Sequence, residues 1–225
     1  MKKNIQVSES MELGIMLALS GGFMDAYSYL ERGKVFANAQ TGNMLLLGVH
    51  LSEGDFSLAI RYFFPILAFG IGIALADCIR MKGISRLHWR QISVLIEAFV
   101  LLGVSFLPQS LNLAANSLTS LACGIQVESF RKIHGNGVAT TMCIGNLRSG
   151  TENLCTYVHT KNRQHLHNGL LYYGIIFFFV LGAVIGNYLI LLFAEKAILG
   201  SSIILIAAFF LMFIDHEKER VHKHF

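Results

Sequence analysis

Gly21-Gly22-Phe23-Met24-Asp25-Ala26-Tyr27-Ser28-Tyr29-Leu30, followed by Val35-Phe36-Ala37-Asn38-Ala39-Gln40-Thr41-Gly42-Asn43-Met44, has a second copy in the same chain. Displacing the sequence by 103 residues sets Gly21 on Gly124, Asp25 on Glu128, Ala26 on Ser129, Tyr27 on Phe130 and Leu30 on Ile133. The same displacement sets Val35 on Val138, Gly42 on Gly145, Asn43 on Asn146 and Met44 on Leu147, with no gap. Any two apolar segments share aliphatic matches by chance. An acid and a Gly-Asn pair at one common offset are harder to obtain that way, so the stretch reads as an internal repeat.

The surroundings of both copies are apolar. Of 225 residues, 54% are hydrophobic and 14% charged, and the mean hydropathy is +0.55. Such a chain has lipid as its solvent. A span needs about 20 mostly apolar residues to cross a hydrocarbon core of about 30 Å. Residues 11–30, 61–79, 91–107, 111–130, 169–194 and 197–214 answer that description. Residues 35–50 and 137–158 are apolar on average but interrupted, the first by Asn38, Gln40, Thr41, Gly42 and Asn43, the second by Gly145, Asn146, Arg148, Gly150 and Glu152. Lys2 and Lys3 before an apolar run, with Ala18-Leu19-Ser20 further on, resemble a secretory leader. The internal copy argues against one, because it places the equivalent region in mid-chain.

Positive charge sets the orientation of such a chain. If all eight segments cross and the N-terminus is inside, eight basic residues fall inside and nine outside, which favours neither direction. If the two interrupted segments enter and leave on one face, the loops at 80–90, 131–134 and 159–167 all move inside. Thirteen basic residues then lie inside, against Arg32, Lys34, Arg61 and Lys196 outside. The expectation is therefore an all-α membrane protein with six transmembrane helices, two re-entrant segments and both termini in the cytoplasm. It forms a single membrane domain over 1–225, with repeat halves at 11–107 and 111–214 and a cytoplasmic tail at 215–225. Each half runs span, re-entrant, span, span, and three crossings per half invert the second copy about an axis in the membrane plane. Gly70 finds a weaker partner in Gly182 once the longer loop of the second half is allowed for.

Non-helical backbone at membrane depth is tolerated only where protein or a water-filled cavity satisfies it. The breaks are expected at Thr41-Gly42-Asn43 and Ile144-Gly145-Asn146, with half-helices over 44–50 and 147–157 whose positive ends point inward. Either a solute site lies where the breaks meet, or Asn43 and Asn146 only cap helices. Asp25 and Glu128 are acids inside apolar spans, a costly placement that suggests an ion or proton path; the alternative is a latch to the segment that follows each. Glu97 has no acidic counterpart in the other half. Arg148 precedes Glu152 by four residues on one helix face, the spacing of an internal ion pair or, alternatively, the start of an anion-attracting constriction.

The chain carries no zinc-protease helix, Walker loop, nucleophile elbow or dinucleotide fingerprint. Cys78, Cys123, Cys143 and Cys155 sit in or beside apolar segments without metal-type spacing. His159, His165, His167, His216, His222 and His224 lie among basic residues, where solvation is the ordinary outcome. No enzyme, catalytic residue, metal, cofactor or nucleic-acid partner is expected.

The run 21–30 with 35–43 resembles the signature of the YoaK-like family of small bacterial multi-pass membrane proteins, and the resemblance extends along nearly the whole chain. It implies a bacterial cytoplasmic-membrane protein in a family without established function. From the residues themselves, the leading expectation is a small-solute or ion transporter or channel, with its path at Asp25, Thr41, Gly42, Asn43, Glu128, Gly145, Asn146 and Arg148, supported by Glu97 and Glu152. The rival is a non-transporting component that binds a lipid or protein partner through its inner basic loops. Abundant small residues permit close packing within a chain or in a homo-oligomer.

Overall fold

In the computed structural model, residues 9–82 and 88–222 are described, with side chains as far as 213. The Arg86 loop and His224 fall outside these residues, and the side chains of His216 and His222 fall outside the described ones. Among the described residues there are eight α-helices: α1 Met11–Glu31, α2 Gln40–Ser52, α3 Phe56–Lys82, α4 Trp89–Val104, α5 Asn112–Ser129, α6 Cys143–Thr160, α7 Arg163–Phe193 and α8 Leu199–His222. A two-residue antiparallel pair, β1 Lys132–Ile133 and β2 Asn136–Gly137, lies between α5 and α6. Each of the six expected spans is matched by a helix, and α3 and α7 begin five and six residues earlier than the hydropathy suggests. Two stretches, Phe56–Lys82 and Arg163–Phe213, the latter holding α7 and most of α8 either side of a turn, are long and apolar enough to cross a bilayer. Only 28% and 22% of their most apolar windows are buried, so their apolar faces look outward.

Local chemistry starts and stops these helices. Ser10 caps α1, its hydroxyl accepting from the Leu13 amide at 3.2 Å. Asn162 caps α7 by accepting from the Gln164 amide at 3.0 Å. Lys161, in the left-handed region at φ 55°, ends α6.

The packing pairs fall into two matching sets. Helix α1 packs on α7 and α8, while α5 packs on α3 and α4; α2 lies on α3 as α6 lies on α7, and α4 meets α8. Exchanging the first four helices for the last four reproduces the same contacts. Glycine allows the closest of them. A Cβ on Gly22 would strike the Phe179 carbonyl and one on Gly182 the Leu19 carbonyl, while Gly124 and Gly72 stand in the same relation to Phe69 and Leu121. The counterpart of Gly182 is therefore Gly72, two residues from the expected Gly70, around which nothing lies within 4 Å.

One end of the bundle gathers the start of α1, the start of α4 and the ends of α3 and α5. Glu9 pairs with Arg90 at 3.6 Å, Arg90 donates to the Ser129 carbonyl at 3.0 Å, and Arg80 reaches Glu128 at 3.4 Å. At the opposite end Arg32 is fully buried. It donates to the Tyr27 hydroxyl (2.7 Å), Asn112 Oδ1 (3.1 Å) and the Leu107 carbonyl (2.8 Å), while Asn116 donates to its own carbonyl (2.7 Å). This guanidinium fastens α1, the α4–α5 loop and α5 together, and no lysine can span those acceptors with a single ammonium. Arg32→Lys is expected to cost about 2 to 4 kcal/mol, read as a lower melting temperature in detergent; an unchanged melt would show that the network carries little stability.

Candidate functional site

The connections that precede α2 and α6 place the polar centre. After α1 ends, the chain turns back along it: the Asn38 amide donates to Asp25 Oδ1 at 2.7 Å, and Asn38 Nδ2 donates to the Gly21 carbonyl at 2.9 Å. Asn38 thus stands beside residues six to ten positions before the end of α1, a rise of about 9 to 15 Å. From there α2 runs back toward the end it came from, beside the start of α3. The segment after α5 does the same from the other end. Thr140 Oγ1 accepts from Gln126 Nε2 at 3.0 Å, Gln126 Nε2 also donates to the Leu17 carbonyl at 3.0 Å, and Thr140 and Thr141 line Gly21. The two non-helical segments approach each other across Gly21, where a side chain would meet the Thr140 carbonyl.

Each segment is closed by the same device. Asn43 Oδ1 accepts from the Phe36 amide at 3.0 Å while its Nδ2 donates to the Phe36 carbonyl at 2.7 Å. Asn146 treats Ala139 identically, at 3.2 and 2.6 Å. In both cases the clamp spans seven residues, and both members stand at the 103-residue offset. A side-chain amide presents one donor and one acceptor, which is what an isolated peptide unit requires. This corrects the expected breaks. Thr41-Gly42-Asn43 and Ile144-Gly145-Asn146 lie in the first turns of α2 and α6, and the irregular backbone precedes them, because each asparagine reaches backward. Gly42 lies under the Phe36 ring, which leaves no room for a Cβ; Gly145, opposite the smaller Ala139, has open space. Thr41 points outward, exposed.

The two repeat-related acids have different surroundings. Asp25 holds the first non-helical segment through Asn38. Glu128, in the last turn of α5, pairs with Arg80 and with Arg131 at 3.2 Å at the end of the bundle. Arg148 and Glu152 do not form the expected internal pair: both are exposed on α6, and neither charged group has an ion pair among the described residues. They line a groove of about 620 Å³ with Ile144, Leu147, Thr151 and Cys155. On α2 the corresponding places hold Leu45 and Val49.

Glu97 is fully buried in α4, and neither carboxyl oxygen has a hydrogen-bond partner. The Cys123 thiol lies beside Asn38 and within electrostatic reach of both Asp25 and Glu97. Sequence reasoning missed Gln126, Thr140 and Thr141, and took Asn38 only as an interruption. A lone amide or hydroxyl in an apolar run carries no signal until its neighbours are known.

The family model described as a protein of unknown function (DUF1275) matches residues 13–211. The UPF0700 transmembrane protein YoaK of Bacillus subtilis (strain 168) is 25% identical over 181 residues, covering 76% of this chain and 79% of that one. No solved structure matches. The YoaK-like resemblance holds, and the chain is a membrane protein.

Proposed function

We propose that this chain, which belongs to the DUF1275 family of proteins of unknown function, carries a small solute or ion across the bacterial cytoplasmic membrane. It does so without chemistry on the solute. Six helices, α1, α3, α4, α5, α7 and α8, cross the bilayer; α2 and α6 with their preceding segments are re-entrant from opposite faces, and both termini lie in the cytoplasm. The observation that supports this most is the pair of asparagine-clamped segments approaching one another across Gly21 from opposite ends of the bundle. Inverted repeats with discontinuous helices meeting near the midplane are a recurrent way to build a site open to each face in turn. Uptake by purified protein in liposomes, against a panel of ions and small metabolites, tests it. Saturable uptake of at least one solute above protein-free vesicles is expected, and a blank panel counts against it.

A second reading, binding of a lipid or protein partner, draws support from the α6 face, where Arg148 and Glu152 look outward unpaired. If that face carries the function, Arg148→Glu changes the size of the particle extracted in mild detergent or its retained anionic lipid. Under the transport reading both stay as in the unaltered protein.

A further inference from the structure

The polar atoms around Gly21 and Cys123 do not balance. Asn38, Glu97 and Gln126 are at most 1% exposed. Asn38 Oδ1, Gln126 Oε1 and both oxygens of Glu97 lack a hydrogen-bond partner, as does the hydroxyl of Thr141, 2% exposed. The donors of the same side chains are engaged: Asn38 Nδ2 on Gly21 and Gln126 Nε2 on Leu17 and Thr140. What is left over here is two amide oxygens, one hydroxyl and one carboxyl group; the unpartnered Gln91 Nε2 and Ser129 hydroxyl lie at the Arg90 end of the bundle. The positive start of α2 already has its counter-charge in Asp25, which accepts from the Asn38 amide. Arg32 is committed to Tyr27, Asn112 and Leu107 at one end of the bundle, and Arg90 reaches Glu9 and Ser129 at the other. Glu97 lies eight residues from the start of α4 and seven from its end, about 12 and 10 Å along the helix.

A buried carboxylate must be neutralised or paired, and buried amide oxygens must find donors or a cation. From this geometry we infer that the layer binds a small monovalent cation, an alkali-metal or ammonium ion, with Glu97 as counter-charge and Asn38 and Gln126 as oxygen ligands. A single uncommitted carboxylate matches one positive charge. The inference rests on the transport reading for its setting, since a cation reaches this depth only along a path through the protein.

The test is thermal unfolding of the purified full chain in detergent at constant chloride and ionic strength, with sodium, potassium or ammonium replacing N-methylglucamine. At least one of the three should raise the melting temperature saturably, as a ligand that binds only the folded state must; which one does so separates alkali-metal from ammonium chemistry. Glu97→Gln, which keeps shape and removes charge, should abolish the shift without lowering the melt in N-methylglucamine. Gln126→Met should raise the half-saturating concentration about tenfold, the worth of one good polar contact. No shift with any of the three cations overturns the inference, as does a shift that survives in both variants. Transport is judged separately: cation binding without flux removes the transport reading and leaves the site, and flux of a solute indifferent to these cations does the reverse.

Discussion

Gly182→Leu will fail to give a monodisperse particle, or will melt well below the unaltered protein. In lipid the association of helices is driven by close van der Waals contact, not by exclusion of water, so the approach of backbones at small residues sets the geometry. A side chain at Gly182 meets the Leu19 carbonyl, and no rotamer change relieves a clash with backbone. Helices α1 and α7 must separate, and Asn38 and Thr140 would lose the surface of α1 on which they meet. Overpacking typically costs about 1 to 3 kcal/mol, and a clash with backbone lies at the upper end; about 3 kcal/mol is about 6 to 12 °C in the melt of a chain of this size. Gly72→Leu should act the same way through the Leu121 carbonyl. Gly70→Leu, with open space around it, should stay near the unaltered melt. Equal behaviour of Gly70→Leu and Gly72→Leu would mean that α3 does not cross α5 at that point.

The second large effect is expected at the clamps. Asn43→Leu leaves the Phe36 amide and carbonyl without their side-chain partner, and Asn146→Leu does the same to Ala139. Each orphaned buried group costs about 1 to 3 kcal/mol, so either variant should lose about 2 to 6 kcal/mol by the same reckoning for two groups. Because the two clamps are alike in span and geometry, the losses should be similar in size. Asn→Asp retains the acceptor and loses the donor, so it should rescue neither fully. If Asn43→Leu and Asn146→Leu melted like the unaltered chain, water would be serving those peptides and the clamps would be incidental.

Much of this architecture is written in residue patterns, and some of it is not. Apolar length locates the helices, because in lipid a span must be about 20 residues long whatever its neighbours. The Gly-Asn pairs mark the two irregular regions correctly but not their boundaries. Composition shows that an amide is present; it does not show that the amide points backward over seven residues. Asp25 and Glu128 align in sequence yet diverge in space, since Arg80 and Arg131 draw Glu128 to the bundle end and nothing of the kind stands beside Asp25. The spacing of Arg148 and Glu152 permits a pair that the structure does not make. Glu97 is conspicuous as an acid in an apolar run, but its lack of a hydrogen-bond partner is a property of the packed structure. Gly72 was hidden behind Gly70 because the longer loop of the second half removes the fixed offset that aligns the first elements.

The most direct measurement of the central arrangement is paired accessibility of single cysteines to a membrane-impermeant maleimide in intact cells, with the four native cysteines replaced. Lys34 and Glu53 bracket the first non-helical segment with α2, and Arg131 and Lys161 bracket the second with α6. Opposed re-entrant segments predict that Lys34→Cys and Glu53→Cys both label from outside, whereas Arg131→Cys and Lys161→Cys both label only after the membrane is opened. If the members of either pair label from opposite sides, that segment crosses the bilayer, and the account of two breaks meeting from opposite faces is wrong.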